Sequence, residues 1–177
     1  MEQIEDSAPL AISPPVPLTP QHGLSDFDCG SEALNNWLLH RAIKNENRFS
    51  RTYVACLGSK VVAYYSISAG AIDRAAGPKK IRRNAPDSIP ITVLGRLAVD
   101  RDYSGKGLGG DILADALVRV AAASRTIGIA AILVHAKDEQ AKRFYMRHAE
   151  FIEYPADSRI LFLPIETVLA ALVDEEG

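Results

Sequence analysis

Val99-Asp-Arg-Asp-Tyr-Ser-Gly-Lys-Gly-Leu-Gly-Gly-Asp-Ile-Leu113 decides how this chain is read. The apolar run before it, Ile91 to Val99, reads as a buried strand, and the apolar-periodic segment Ile112 to Ala122 reads as a helix. Between them stand Gly105, Gly107, Gly109 and Gly110. Glycine reaches positive φ without a Cβ clash, so such a loop curls with its N–H groups pointing inward. A helix start just behind it adds unpaired N–H donors and the positive end of a dipole. The product is a backbone cradle for a diphosphate. A nucleoside triphosphatase loop is excluded, because Lys106 is followed by Gly107 rather than Ser or Thr. The dinucleotide fingerprint fits poorly, because the strand near Ile129 to Val134 ends in His135 and not in an acid.

Outward from that stretch the pattern is α/β. Ser31 reads as the N-cap of a helix reaching Arg48, with Leu34, Trp37, Leu38 and Ala42 on its inner face. Thr52 to Leu57 and Val61 to Ile72 read as a hairpin turning at Gly58-Ser-Lys60. Residues 73–90 read as one long basic loop carrying Arg74, Lys79, Lys80, Arg82 and Arg83, and loops of that length are functional or disordered. Asp138 to His148 reads as a short helix. Phe151 to Tyr154 and Arg159 to Leu163 read as closing strands, and Pro164 as the opening of a last helix to Val173. Pro14, Pro15, Pro17 and Pro20 predict an extended lead-in over residues 1–20, with an edge strand near Leu10 to Ser13.

The 177 residues suit one domain with a real core, and no composition shift or repeat marks a boundary. A net charge of −2 excludes a polycation, so any nucleic-acid contact must come from a local patch. Cys29 and Cys56 lack ligand spacing, which predicts two buried thiols and no metal. The acidic start has no secretory character and no stretch is long enough to span a bilayer, so a cytoplasmic protein with no membrane contact is expected.

The glycine turn resembles the pyrophosphate loop of the GNAT acyltransferases, with Ser104 where that family usually has Gln or Arg. The element order resembles the GNAT fold, a mixed central sheet with splayed parallel strands flanked by helices, and covers most of residues 1–177. Phe27-Asp-Cys-Gly-Ser-Glu-Ala-Leu-Asn-Asn-Trp-Leu38 with Arg51-Thr-Tyr-Val54 narrows the resemblance to GNAT toxins of type II toxin–antitoxin pairs, the TacT type. Gly95-Arg-Leu-Ala-Val-Asp100 resembles their cofactor strand and Ala141-Lys-Arg-Phe-Tyr145 their catalytic helix. Ala149-Glu150-Phe151 departs from the family, which often has Gly before that Phe.

The resemblance implies acetyl-CoA as cofactor and the α-amino group of an aminoacyl-tRNA as acceptor, so that translation is blocked. It implies cofactor contacts at Leu97, Ala98, Val99, Ser104, Gly105, Lys106, Gly107, Leu108, Gly109, Gly110, Asp138, Ala141 and Phe144, and a catalytic Tyr145. Lys44, Arg48, Arg74, Lys79, Lys80, Arg82 and Arg83 are the candidate tRNA contacts, with Arg51 beside them. A ribbon-helix-helix antitoxin, a homodimer, and operator DNA reached only through the antitoxin complex complete the implied partners. Two other readings stay open: a GNAT acting on a small amine or protein N-terminus, and a non-catalytic acyl-CoA-binding module.

The chemistry asks for little. A main-chain N–H near Leu97 is placed to hold the thioester oxygen, with Gly95 as a bulge that aims it. A phenol of pKa about 10 facing a thiol of about 8.5 makes full proton transfer uphill by roughly 2 kcal/mol, yet a hydrogen bond to the thiolate still helps. No strong general base is evident; His135 is a candidate acting through water, and a structural histidine is the alternative. An esterified α-amino group titrates below the usual value of about 8, so a good fraction is neutral without help.

Overall fold

The computed structural model describes residues 11–175. The acidic start and Leu10 lie outside them. One seven-stranded sheet runs in the order β1-β2-β3-β4-β5-β7-β6. Its strands are β1 (Val16–Pro17), β2 (Arg51–Leu57), β3 (Lys60–Ile72), β4 (Ile89–Val99), β5 (Ala131–His135), β6 (Ile152–Tyr154) and β7 (Asp157–Pro164). The helices are α1 (Glu32–His40), α2 (Ala42–Asn45), α3 (Lys79–Arg82), α4 (Leu108–Ser124), α5 (Glu139–His148) and α6 (Ile165–Glu175). Only β4 and β5 pair in parallel, which makes the sheet mixed.

The two faces bury different partners. Leu94, Ile132, Val134 and Leu161 on one face pack with Ile112, Leu113 and Ala116 of α4, Tyr145 of α5 and Val168 of α6. The other face packs Val54, Val61, Tyr64 and Ala98 with Leu38 of α1, Phe27 and Leu18. Trp37 stacks on Tyr64 at 6.0 Å, and the Tyr64 hydroxyl donates to the Leu34 carbonyl. The apolar spacing on α1 therefore does what its periodicity predicts.

Several boundaries differ from the sequence reading, each for a local reason. The helix expected from Ser31 to Arg48 divides at Arg41. Ser31 does cap it, accepting from the Leu34 N–H at 3.4 Å. The Asn45 side chain then takes the Arg41 carbonyl and Glu46 accepts from the Thr52 N–H, so side chains turn the chain into β2. The 73–90 loop contains α3, because Ile81 is buried against Ile89, Ile91 and Phe162 and anchors its cationic neighbours; β4 starts at Ile89. The edge strand is Val16–Pro17, while Ile12 makes one isolated bridge to Leu57. Prolines at 14, 15 and 17 remove the donors a longer ladder needs. The last hairpin turns on Pro155 and Ala156, with Asp157 already opposite Tyr154. The helix after the glycines begins at Leu108, four residues before Ile112, because left-handed Gly107 already serves as its N-cap.

Candidate active site

The site begins where two strands part. β4 and β5 pair from Ile91 opposite Ala131 to Leu94 opposite Val134, and no further. At that level Gly95 is the extra residue between Leu94 and Arg96, which face Ile67 and Ser66 of β3. The bulge expected at Gly95 is there, and it bends β4 away from β5. From Gly95 to Val99 the strand is paired with β3 alone, so its other edge is open.

A cleft of about 530 Å³ fills the opening. It is lined by Leu97, Ala98, Val99, Ser104, Gly105, Gly107, Gly109 and Gly110 on one side, and by Asp138, Ala141, Phe144 and Tyr145 on the other. The structure thus gathers most of the candidate cofactor contacts in one place. Two candidates do not line it: Leu108 is half-buried in the first turn of α4 and packs against the core, and Lys106 points outward as an exposed side chain. Asp138 lines the cleft and also caps α5, its Oδ1 accepting from the Ala141 N–H at 2.8 Å.

The glycine turn has the shape an acyl carrier needs. Gly105 and Gly107 hold φ of +75° and +85°, and a Cβ built on either meets nothing within 4 Å. Backbone conformation demands glycine there, and the space above it is open. Gly109 and Gly110 are needed for another reason: a Cβ on them would sit 3.3 Å from Phe144 and 2.8 Å from His148. Those two glycines let α5 lie across the start of α4.

Tyr145 sits at the junction. Its ring is buried, 7 % exposed, and packs edge-on against Phe144 at 5.3 Å and Phe151 at 5.7 Å. Burial pushes its phenol above the usual tyrosine range. Tyr64 and Tyr65 commit their hydroxyls to the Leu34 carbonyl and to Asp115. Among the described residues no such bond ties down the Tyr145 hydroxyl, and Tyr145 lines the cleft. Phe151 follows Ala149-Glu150, with no glycine before it, and still packs on Tyr145.

The stretch from Phe27 to Leu38 acts as a buckle. Asp28 accepts from the Gly30 N–H and the Asn35 side chain, and pairs with Arg101; these bonds hold its carboxyl below the usual range. Buried Asp100 at the end of β4 accepts from the Asp28 N–H and the Asp102 N–H. Cys29, expected to be buried, is half-exposed and lines the cleft, because this buckle draws it against Ala98; Cys56 is buried as expected.

Other cleft residues were absent from the sequence reading: Lys137, Gln140, Arg147 and His148. For Arg147 and His148 the signal was helical spacing, three and four residues after Phe144, and for Gln140 it was the same spacing four residues before it. Arg96 was missed too. Its guanidinium lies 4.0 Å from the Trp37 ring centroid at the bulge. Burial lowers its pKa, and among the described residues it has no carboxylate partner. His135 is exposed at the end of β5 and is not among the residues that line the cleft.

The candidate tRNA contacts fall in two places. Lys44 and Arg48 are exposed on and after α2, just before Arg51, whose partner Ile67 faces Leu94 at the opening. Arg74, Lys79, Lys80, Arg82 and Arg83 gather before Ile89, at the opposite end of β4. Leu97 lies eight residue steps along the strand from Ile89, about 26 Å at 3.3 Å per residue. Among the described residues no group of three His, Cys, Asp or Glu is placed to hold a metal, and no helix is long and apolar enough to cross a membrane.

Residues 48–149 match the family model described as an acetyltransferase (GNAT) domain. The chain belongs to the GNAT acetyltransferases. As a member of that family it is an acyltransferase that draws on acetyl-CoA, which the open cradle and the free edge of β4 both fit. A tRNA-acetylating toxin of Mycobacterium tuberculosis is 38% identical over 152 residues, 85% of this chain and 91% of that protein. The solved structure of AtaT complexed with acetyl-methionyl-tRNAfMet superposes with a TM-score of 0.83 at 32% identity, covering 92% of this chain and 99% of AtaT. A Tyr-to-Phe mutant of AtaT, bound to the C-terminus of the antitoxin AtaR and acetyl-CoA, superposes at 0.79 with 30% identity, covering 92% and 99%.

Proposed function

We propose that this GNAT acetyltransferase is a toxin that moves an acetyl group from acetyl-CoA to the α-amino group of an aminoacyl-tRNA. The observation that carries the reading is the opening beyond Leu94 and Val134, where an unpaired strand edge, a glycine cradle and Tyr145 share one cleft. The candidate cofactor contacts that line the cleft keep their roles, and Lys106 and Leu108 contribute only main-chain N–H groups of the turn. Gly105 to Gly110 hold the diphosphate with backbone N–H groups, and the Gly95–Val99 edge pairs with the pantetheine arm. The Leu97 N–H holds the thioester oxygen as charge builds on it. The amine attacks, the C–N bond forms and the C–S bond breaks. Tyr145 donates its hydrogen bond to the departing sulfur, and the ammonium proton leaves to water.

The acceptor assignment draws on charge placement. Exposed cations stand beside the opening at Lys44 and Arg48 and at the far end of β4 in Arg74 to Arg83. A small amine would reach only the cleft, whereas a nucleic acid spans both, read by phosphate contacts and shape. The unpaired guanidinium of Arg96 at the bulge suits a phosphate near the acceptor's 3′ end. The likeness to a tRNA-acetylating toxin and to AtaT with its tRNA product supports the same reading. On the sequence resemblance, the proposed partner is an antitoxin of ribbon-helix-helix type, with operator DNA met only in that complex, and the proposed assembly is a cytoplasmic homodimer.

Incubation with labelled acetyl-CoA and either charged or uncharged tRNA tests the reading. Label is expected in the charged pool, in an alkali-labile aminoacyl ester. Label in neither pool, with transfer to a small amine or peptide N-terminus instead, overturns it.

A further inference from the structure

His148 has no part in the chemistry above, yet its two ring nitrogens are placed very differently. It ends α5, and its Nδ1 lies 2.8 Å from the Phe144 carbonyl oxygen. A carbonyl only accepts, so Nδ1 carries the hydrogen and the neutral ring has a bare Nε2. That bare nitrogen lies against the first turn of α4, 2.8 Å from where a Cβ on Gly110 would be. The residue lines the cleft together with Ser104, Gly105 and Gly107. The Phe144 ring, 4.4 Å away, holds the imidazole in place. A bare acceptor thus stands where backbone donors and a helix dipole gather an anion. Towards a phosphate oxygen it is repulsive when neutral and attractive once protonated.

The described residues supply no carboxylate ion pair to hold a second proton on this ring. Lys137 and Arg147 line the same cleft and oppose a further positive charge. Asp138 has Oδ1 committed to the Ala141 N–H, and Asp111 is exposed in the first turn of α4. The missing counter-charge is an anion. We propose that His148 takes up one proton from solvent when acetyl-CoA binds and donates it through Nε2 to a diphosphate oxygen, while Nδ1–H stays on the Phe144 carbonyl. Binding of the acyl carrier is then linked to proton uptake. The inference rests on acetyl-CoA as donor and is independent of the acceptor.

Calorimetry of the full chain with acetyl-CoA at neutral pH tests it. The titration is run in phosphate and in Tris, whose ionisation heats differ widely. Net proton uptake is expected for the parent, and none for H148L or H148Q. Affinity falls roughly tenfold in H148L, as loss of a charge-assisted hydrogen bond implies. H148Q, which retains an amide donor, recovers part of that affinity without the proton. S-acetylpantetheine, which lacks the diphosphate, binds parent and variants alike with no uptake. Acetyl-dephospho-CoA keeps the diphosphate and retains the uptake; its loss there would assign the contact to the 3′-phosphate and overturn the proposal. Uptake that persists in H148L, or a parent that binds with none, also overturns it. A parent that gives no heat with acetyl-CoA overturns the donor assignment itself.

Discussion

The two halves of β4 are one strand with two fates. From Ile91 to Leu94 it lies between β3 and β5, and Ile89 and Ile91 are buried against Ile81 and Phe162. From Gly95 to Val99 it keeps β3 and loses β5, and its side chains line a cleft. A strand with both edges paired has spent its backbone groups on the fold, whereas one with a free edge offers them to a ligand. One extra residue at Gly95 and a short β5 separate scaffold from site.

The sharpest way to test that division is at Tyr145, beside the free half. Y145F should lower acetyl transfer by about 10²-fold or more, with acetyl-CoA affinity changed less than about twofold. Single-turnover rates and calorimetry check it, and an unchanged rate would remove the phenol from the mechanism. Next comes G107V, which puts a β-branched residue at φ +85°. Acetyl-CoA affinity should fall at least about tenfold, and the strain of a β-branched residue at that φ should lower the melting temperature modestly as well. I91A in the paired half should do the converse. It empties part of a buried cluster, costs about 2–5 kcal/mol of stability in denaturant titrations, and leaves activity per folded molecule near the parent's.

Smaller effects are expected from the surface and from pH. Replacing Lys79, Lys80, Arg82 and Arg83 with Ala should raise KM for tRNA several-fold and flatten the salt dependence of binding, with KM for acetyl-CoA unchanged. Equal loss towards both substrates would mean a folding defect. The Tyr145 phenol is raised by burial, so its protonated, donating form persists above the usual value of about 10. The kcat profile should therefore show no alkaline decline from this group below that pH. A decline in the parent that disappears in Y145F would contradict the buried, protonated acid.

Legibility followed the range of the forces involved. The glycine turn was readable because positive φ is a local demand, and Gly105 and Gly107 meet it. Strands β2 to β5 and the α4 face were readable from apolar periodicity. The boundary errors arose where a distant contact overrode local preference. Ile81 makes a helix within an apparent loop by packing on Phe162, far along the chain. Cys29 sits at the rim of a core cluster and lines the cleft because Asp28 beside it is tied to Asp100 and Arg101. Arg96 owes its position to Trp37, a residue 59 places away in sequence whose ring its guanidinium covers, and no local pattern marks that contact.

By itself the sequence determined the element order, the cradle between Val99 and Leu113, and the resemblance that singled out Tyr145. These rest on neighbours within a few residues, where backbone sterics and periodicity act. The tertiary structure alone decided that β5 stops at His135 so that β4 runs on alone, that α5 crosses α4 at Gly109 and Gly110, and that His148 presents a bare nitrogen at the cradle. Those facts depend on packing between segments tens of residues apart, and packing is a property of the folded whole.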